Sequence, residues 1–122
     1  MHRLLLCLAL LPGFALAADL EYTLVIRDHR FEPAEIRIPA GKKVKLLVDN
    51  QDATPEEFES HELNREKVVP GKTKLPVFIG PLAPGRYPFF GDFHQQTATG
   101  VIIDRPNPKE QKATRPPGSV SG

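Results

Sequence analysis

The 122-residue chain has no tryptophan, one cysteine and one methionine, and its 16 Lys+Arg against 15 Asp+Glu leave a formal charge of +1. So small a net charge excludes a general nucleic-acid binder, which needs a strong basic field to displace counterions. Long apolar runs are also missing. The one apolar stretch, Leu4 to Leu11, is too short to span a bilayer. No Ser/His/Asp nucleophile arrangement, phosphate-cradling glycine loop or paired-cysteine motif is present, which excludes ordinary hydrolase and nucleotide-dependent chemistry.

Where sulfur occurs is as informative as its scarcity. Met1-His2-Arg3, the apolar run, and small residues one and three positions before a cut, Ala17 and Ala15, read as a secretory signal peptide over residues 1–17. Cleavage after Ala17 removes Met1 and Cys7 together. The exported, periplasmic chain then makes neither a disulfide nor a thiolate–metal bond. It keeps three histidines, His29, His61 and His94.

What is plentiful is turn chemistry: 13 prolines and 9 glycines, too many for a helical bundle. Between the turns the apolar residues alternate: Leu20 to Ile26, Ile36 and Ile38, Val44-Leu46-Val48, Leu75-Val77-Ile79, Tyr87 to Phe90, and Gly100 to Ile103. Pro39-Ala40-Gly41, Pro70-Gly71 and Pro84-Gly85 punctuate them. About seven strands at spacings of roughly ten residues predict an all-β, antiparallel Greek-key sandwich. Pro76 and Pro88 fall inside strands, which places those strands at edges or bulges. Ser60 to Glu66 reads as a short helix or a loop.

The folded domain is expected over residues 18–104. A Pro-rich basic tail, 105–122, has no apolar face to bury and reads as disordered. The tail carries a net +3, whereas residues 18–104 hold 11 basic and 14 acidic groups. Seven of those acids lie between Asp49 and Glu66, opposed there by Arg65 alone.

The segment Tyr87-Pro88-Phe89-Phe90-Gly91-Asp92-Phe93-His94, followed by Gly100-Val101-Ile102-Ile103, resembles the last two strands of a cupredoxin. Phe31-Glu32-Pro33, Ile36-x-Ile38-Pro39-Ala40-Gly41 and Val44 to Asn50 resemble the family's early strands. The likeness implies that Gly91 stands where the ligand cysteine belongs and His94 where the C-terminal histidine belongs. Thr97 to Thr99 fall in the methionine region, and Pro55-Glu56-Glu57-Phe58 where the first histidine sits. Asp28-x-x-Phe31-Glu32-Pro33, Glu57-Phe58-Glu59 and Pro84-Gly85-x-Tyr87 are similar to the EfeO-type cupredoxin domain of bacterial ferrous-iron uptake systems.

That resemblance implies an exported metal-binding accessory. Its partners are an iron permease and other exported iron-uptake components, and its cargo or cofactor is iron and/or Cu(II). Without sulfur there is no type 1 blue copper centre. The donors left are oxygen and imidazole, which suit Fe(II), Fe(III), Mn(II) or Cu(II) better than Cu(I). The candidate ligands are Glu57, Asp92 and His94, then Glu56 and Glu59, with His29 and Glu66 in reserve and His61 on the surface. In a sandwich the loops after Asn50 and Phe90 meet at one end, which is expected to bring Glu57 to His94. A metal-free interaction module and a Cu(II) carrier are the alternatives.

Overall fold

The computed structural model describes residues 20–106. The signal peptide expected at 1–17 and nearly all of the tail expected at 105–122 lie outside the described residues. Nine strands form: β1 (Leu20–Arg27), β2 (Arg30–Glu32), β3 (Glu35–Pro39), β4 (Val44–Asn50), β5 (Glu56–Ser60), β6 (Arg65–Val69), β7 (Thr73–Ile79), β8 (Gly85–Gly91) and β9 (Thr99–Arg105). Among the described residues a single 3-10 turn, η1 (Asp92–His94), interrupts them. No described helix is long and apolar enough to cross a membrane.

The strands stack as two sheets, β2-β1-β4-β7 on β3-β9-β8-β5-β6, a cupredoxin-like sandwich. β4 shows why: Val44, Leu46, Val48 and Asn50 are buried, while Lys45, Leu47 and Asp49 between them are half-exposed. A period of two gives one face to the core and the other to water. The inward faces meet around Leu24, Ile26, Leu46, Val48 and Ile102, with Phe31, Phe58 and Phe89 at the centre. Phe31 meets Phe89 edge-on at 5.0 Å between ring centroids, and Phe58 lies 5.2 Å from Phe89. Each such ring contributes about 1.5–3 kcal/mol by leaving water. Gly100 makes room for them, since a Cβ there would come within 2.3 Å of the Phe89 ring.

Two expectations are corrected and one is narrowed. The sandwich is not wholly antiparallel: β1 runs parallel to β4, and β3 parallel to β9. The cause is that each chain crossover carries the next strand to the other sheet, so sequence neighbours do not always pair. Of the two readings of Ser60 to Glu66 the loop holds: residues 61–64 are the turn of the β5–β6 hairpin, closed by Ser60 opposite Arg65. Pro76 sits on edge strand β7 as its missing N–H requires, but Pro88 lies in interior β8 without forming an edge. It is tolerated because the β5–β8 ladder contains only Phe58–Gly91 and Glu59–Phe90. Beyond that ladder the Ser60 hydroxyl donates to the Pro88 carbonyl at 2.7 Å.

Candidate functional site

Two loops and one strand end converge at one pole of the sandwich. The first is the two-residue turn Asp28-His29 between β1 and β2, with φ of 51° and 57°. Left-handed backbone at both positions is the geometry of a tight hairpin, usually supplied by Asn-Gly. Here it is held from outside. The Asp52 carboxylate accepts the N–H groups of Asp28 at 2.8 Å and His29 at 3.0 Å.

Asp52 is itself positioned by Asn50, which is fully buried. The Asn50 Oδ1 accepts the Asp52 N–H at 3.0 Å, and its Nδ2 donates to the carbonyls of Thr54 and Val69 at 2.9 and 3.1 Å. Burial alone would raise the Asp52 carboxyl. The hydrogen bonds from His29 and Asp28, with the charges of His29 and Lys72, nevertheless hold it below the ordinary carboxylate range. The Thr97 hydroxyl donates to the His29 carbonyl at 2.5 Å, tying the turn to the far loop.

The strand end is β5, where parity decides the chemistry. Phe58 is a core residue, so Glu56 and Ser60 point inward with it, whereas Glu57 and Glu59 point outward. Glu56 is 1% exposed. Its Oε1 accepts the N–H of Phe93 at 2.9 Å and of Glu57 at 3.1 Å, and its Oε2 contacts the His94 Nδ1. A buried carboxylate is tolerable only with such partners.

The third piece is the loop from Gly91 to Ala98. Gly91 and Ala98 close it through N–H···O bonds, Gly91 to Ala98 and Ala98 to His94, both 2.8 Å. A Cβ at Gly91 would lie 2.7 Å from both the Glu56 Cδ and the Ala98 Cβ. The Glu56 carboxyl therefore occupies the space into which a larger residue at 91 would project. His94 stacks on His29 with centroids 3.6 Å apart and ring planes 12° from parallel. One donor atom each from His29, Glu56 and His94 falls within 4.8 Å of the others. His29, His94, Thr97 and the 47%-exposed Phe93 line an open depression of about 560 Å³ above them.

The predicted ligands are thus divided. His94 is joined by Glu56 and by His29, a reserve candidate, but not by Glu57. Glu57, Glu59 and Asp92 form a separate group on the outward face, again with one carboxylate oxygen each within 4.8 Å. The expected meeting of Glu57 with His94 fails because adjacent strand residues face opposite ways. Glu66 stands directly across from Glu59. A hydrogen bond shared with Glu66, then burial, then the charges of Glu66, Asp92 and Glu59 push the Glu57 carboxyl up to about 7. His61 is exposed, its ring 5.4 Å from Phe90, outside both groups. Asp52 was not among the predicted residues. Its signal was the acid at a distance that a strained Asp-His turn requires, which only tertiary structure reveals.

A two-layer β-sandwich with this strand order, its loops gathered at one pole, is the architecture of cupredoxin-like domains. The chain belongs to that family, matching the cupredoxin-like domain over residues 2–103. It is similar to the uncharacterized protein RP394 of Rickettsia prowazekii (strain Madrid E), with 48% identity over 84 residues, 69% of this chain and 67% of that protein. Among solved structures, auracyanin A, a "blue" copper protein of Chloroflexus aurantiacus, superposes with a TM-score of 0.63 at 13% identity, covering 72% of this chain and all of that one. The metal-binding domain of the Streptococcus pneumoniae D39 Cu(I)-exporting ATPase CopA, with Cu(I), superposes at 0.60 and 14% identity, covering 70% and 84%. These likenesses establish the fold.

The copper centre that the fold suggests can be tested against the residues present. No cysteine lies within residues 20–106, and the position facing the site is Gly91, already covered by a carboxylate. The donors do not fit a thiolate centre. They do fit an ion that accepts imidazole nitrogen and carboxylate oxygen.

Proposed function

We propose that this is an exported, periplasmic metal-binding protein of the EfeO-type cupredoxin group, an accessory to a bacterial iron-uptake system. It holds Cu(II) or iron through His94, Glu56 and His29 without a type 1 blue centre, and hands iron to a membrane permease. One observation carries the reading: the Glu56 carboxyl, buried and aimed at His94, lies over Gly91 and replaces a soft donor by a hard one. A carboxylate–imidazole set favours Cu(II), Fe(II) and Fe(III) over Cu(I). Cu(II), if held by these residues, would supply one-electron acceptance, Fe(II) becoming Fe(III) as Cu(II) becomes Cu(I).

The chain's own residues do the rest. Glu56 meets the His94 ring at Nδ1, the N–H groups of Phe93 and Glu57 keep the carboxylate oriented, and Asp52 keeps His29 over the opening. A second reading, a metal-free docking module, is favoured by the exposed Phe93 ring at the rim.

Equilibrium dialysis against Cu(II) and, without oxygen, Fe(II) distinguishes the two. The metal reading expects one ion per chain, no intense thiolate charge-transfer band, and affinity lowered at least tenfold by Glu56→Gln and by His94→Ala. Weak binding, unchanged in both variants, leaves the docking module.

A further inference from the structure

The end of the sandwich farthest from His94 holds a carboxylate without a counterpart. Asp104 is 3% exposed, and neither of its oxygens has a hydrogen-bond partner among the described residues. Ile102, two residues earlier on β9, is a core residue, so Asp104 also points between the sheets. Ile38 of β3 and Gly85 of β8 flank it in the ladder and offer no side-chain donor. Arg105 has the opposite parity and is exposed, as are Lys42 and Lys43 in the turn at the same end. A buried carboxylate without a donor is costly unless a cation completes it.

β1 starts at this end. It runs from Leu20 to Arg27, and Arg27 adjoins the Asp28-His29 turn, so Leu20 is the end remote from His94. β1 also lies over β9: β2, its neighbour in one sheet, meets β9 across the layers, while β7 and β6 meet at the opposite side. Leu20 shares the inward parity of Leu24 and Ile26 yet is 41% exposed, so the core is open here. Only Ala18 and Asp19 separate Leu20 from the expected cut after Ala17. Two residues span about 7 Å, against roughly 10 Å between facing sheets, part of which the Asp104 side chain itself crosses.

We propose that the α-ammonium of Ala18, created when the leader is removed, pairs with Asp104 and locks this end of the sandwich. The pairing depends on the export reading above. Hydrolysis of the Ala17–Ala18 amide by a leader peptidase leaves a carboxylate on Ala17 and an amine on Ala18, which is mostly protonated at neutral pH. Before the cut that nitrogen is an uncharged amide and cannot serve as a counterion. After it, a compact cation stands within reach of a buried anion, and maturation becomes a gain in stability. Nothing in this requires the His94 centre to be loaded.

The mature chain beginning at Ala18 is compared with the same chain acetylated at that amine, each as wild type and as Asp104→Asn. Urea midpoints are measured, together with the rate at which the free α-amine is acylated at neutral pH, read by mass spectrometry of the N-terminal peptide. Acetylation is expected to lower the wild-type midpoint and to leave that of Asp104→Asn unchanged, a coupling that independent effects do not produce. The wild-type amine should react about tenfold more slowly than that of Asp104→Asn, because the pair keeps it protonated. Should Asp104→Asn fail to fold, the midpoint of the acetylated wild type decides alone. Equal midpoints for free and acetylated wild type, or equal amine reactivity in wild type and Asp104→Asn, overturn the proposal. So does an Asp104-dependent stability that survives acetylation and vanishes on deletion of residues 107–122, which assigns the carboxylate to a tail cation. An exported protein whose first residue is not Ala18 refutes the cut and the lock with it, whereas its Cu(II) binding still judges the His94 centre separately.

Discussion

Glu56 and Glu57 are joined by one peptide bond and face opposite sides of β5, the first contacting His94 and the second grouped with Glu59 and Asp92. The hydrogen bond from the Glu57 N–H back to the Glu56 Oε1, 3.1 Å, links the two. Two acidic residues that look interchangeable in sequence therefore have different environments and different chemistry.

The close fit over Gly91 predicts the behaviour of its simplest substitution. Gly91→Ala places a methyl 2.7 Å from the Glu56 carboxyl carbon and the Ala98 Cβ. Overpacking of this kind costs about 1–3 kcal/mol. Urea unfolding should show that loss, and Cu(II) affinity should fall because Glu56 is pushed off His94. Unchanged affinity would mean that Glu56 is not a donor.

Asp52 should matter more than an exposed loop acid usually does. Asp52→Ala leaves two N–H groups of the strained Asp28-His29 turn without their acceptor, a loss of roughly 1–2 kcal/mol. Its pH dependence has a definite sign. The folded carboxyl is held below the ordinary range, so its stabilisation is present above the unfolded pKa and disappears as pH falls through the folded value. Denaturant midpoints of wild type and Asp52→Ala should converge at low pH and separate at neutral pH.

Asp104 predicts the opposite slope. Its side chain is buried at the other end of the sandwich, where Asp104 pairs with Ile38 and Gly85, and neither oxygen has a partner among the described residues. Burial pushes its carboxyl above the ordinary range. This contribution is therefore favourable below the unfolded pKa and is lost as pH rises through the raised folded value. In the uncleaved chain Asp104→Asn should flatten that decline and, at neutral pH, raise stability by about 1–2 kcal/mol by removing an uncompensated buried charge. Midpoints measured from acid to neutral pH test both points.

The aromatic centre sets the floor for all of these. Phe58→Ala opens a cavity against Phe31 and Phe89 and should cost about 3–5 kcal/mol. It also loosens the strand from which Glu56 projects, so Cu(II) affinity should weaken along with stability, as a parallel Cu(II) titration would show.

Much of the fold was legible because its strands carry their period of two openly, as in Val44 to Asp49, and because Pro-Gly pairs mark the turns. The parallel pairings were not legible, since they depend on which sheet each crossover reaches. Within the site, His94 was readable from its place after Tyr87 to Gly91. The choice between Glu56 and Glu57 was also present, in the parity of Phe58: a core phenylalanine commits its second neighbours, not its first, to the interior. Matching an acidic residue by its place in a motif outweighed that parity and favoured Glu57. His29 was harder, because its orientation depends on Asp52, 23 positions away, gripping a turn whose residues do not announce it.

His29 belongs to the turn of one sheet and Glu56 and His94 to the other, so the imidazole stack is a clasp between layers that are otherwise held mainly by apolar contact. An occupant gripping both halves would resist their separation in proportion to the logarithm of its concentration over its dissociation constant. Heat resistance of the sandwich thereby becomes a gauge of loading, readable without any assay of transport.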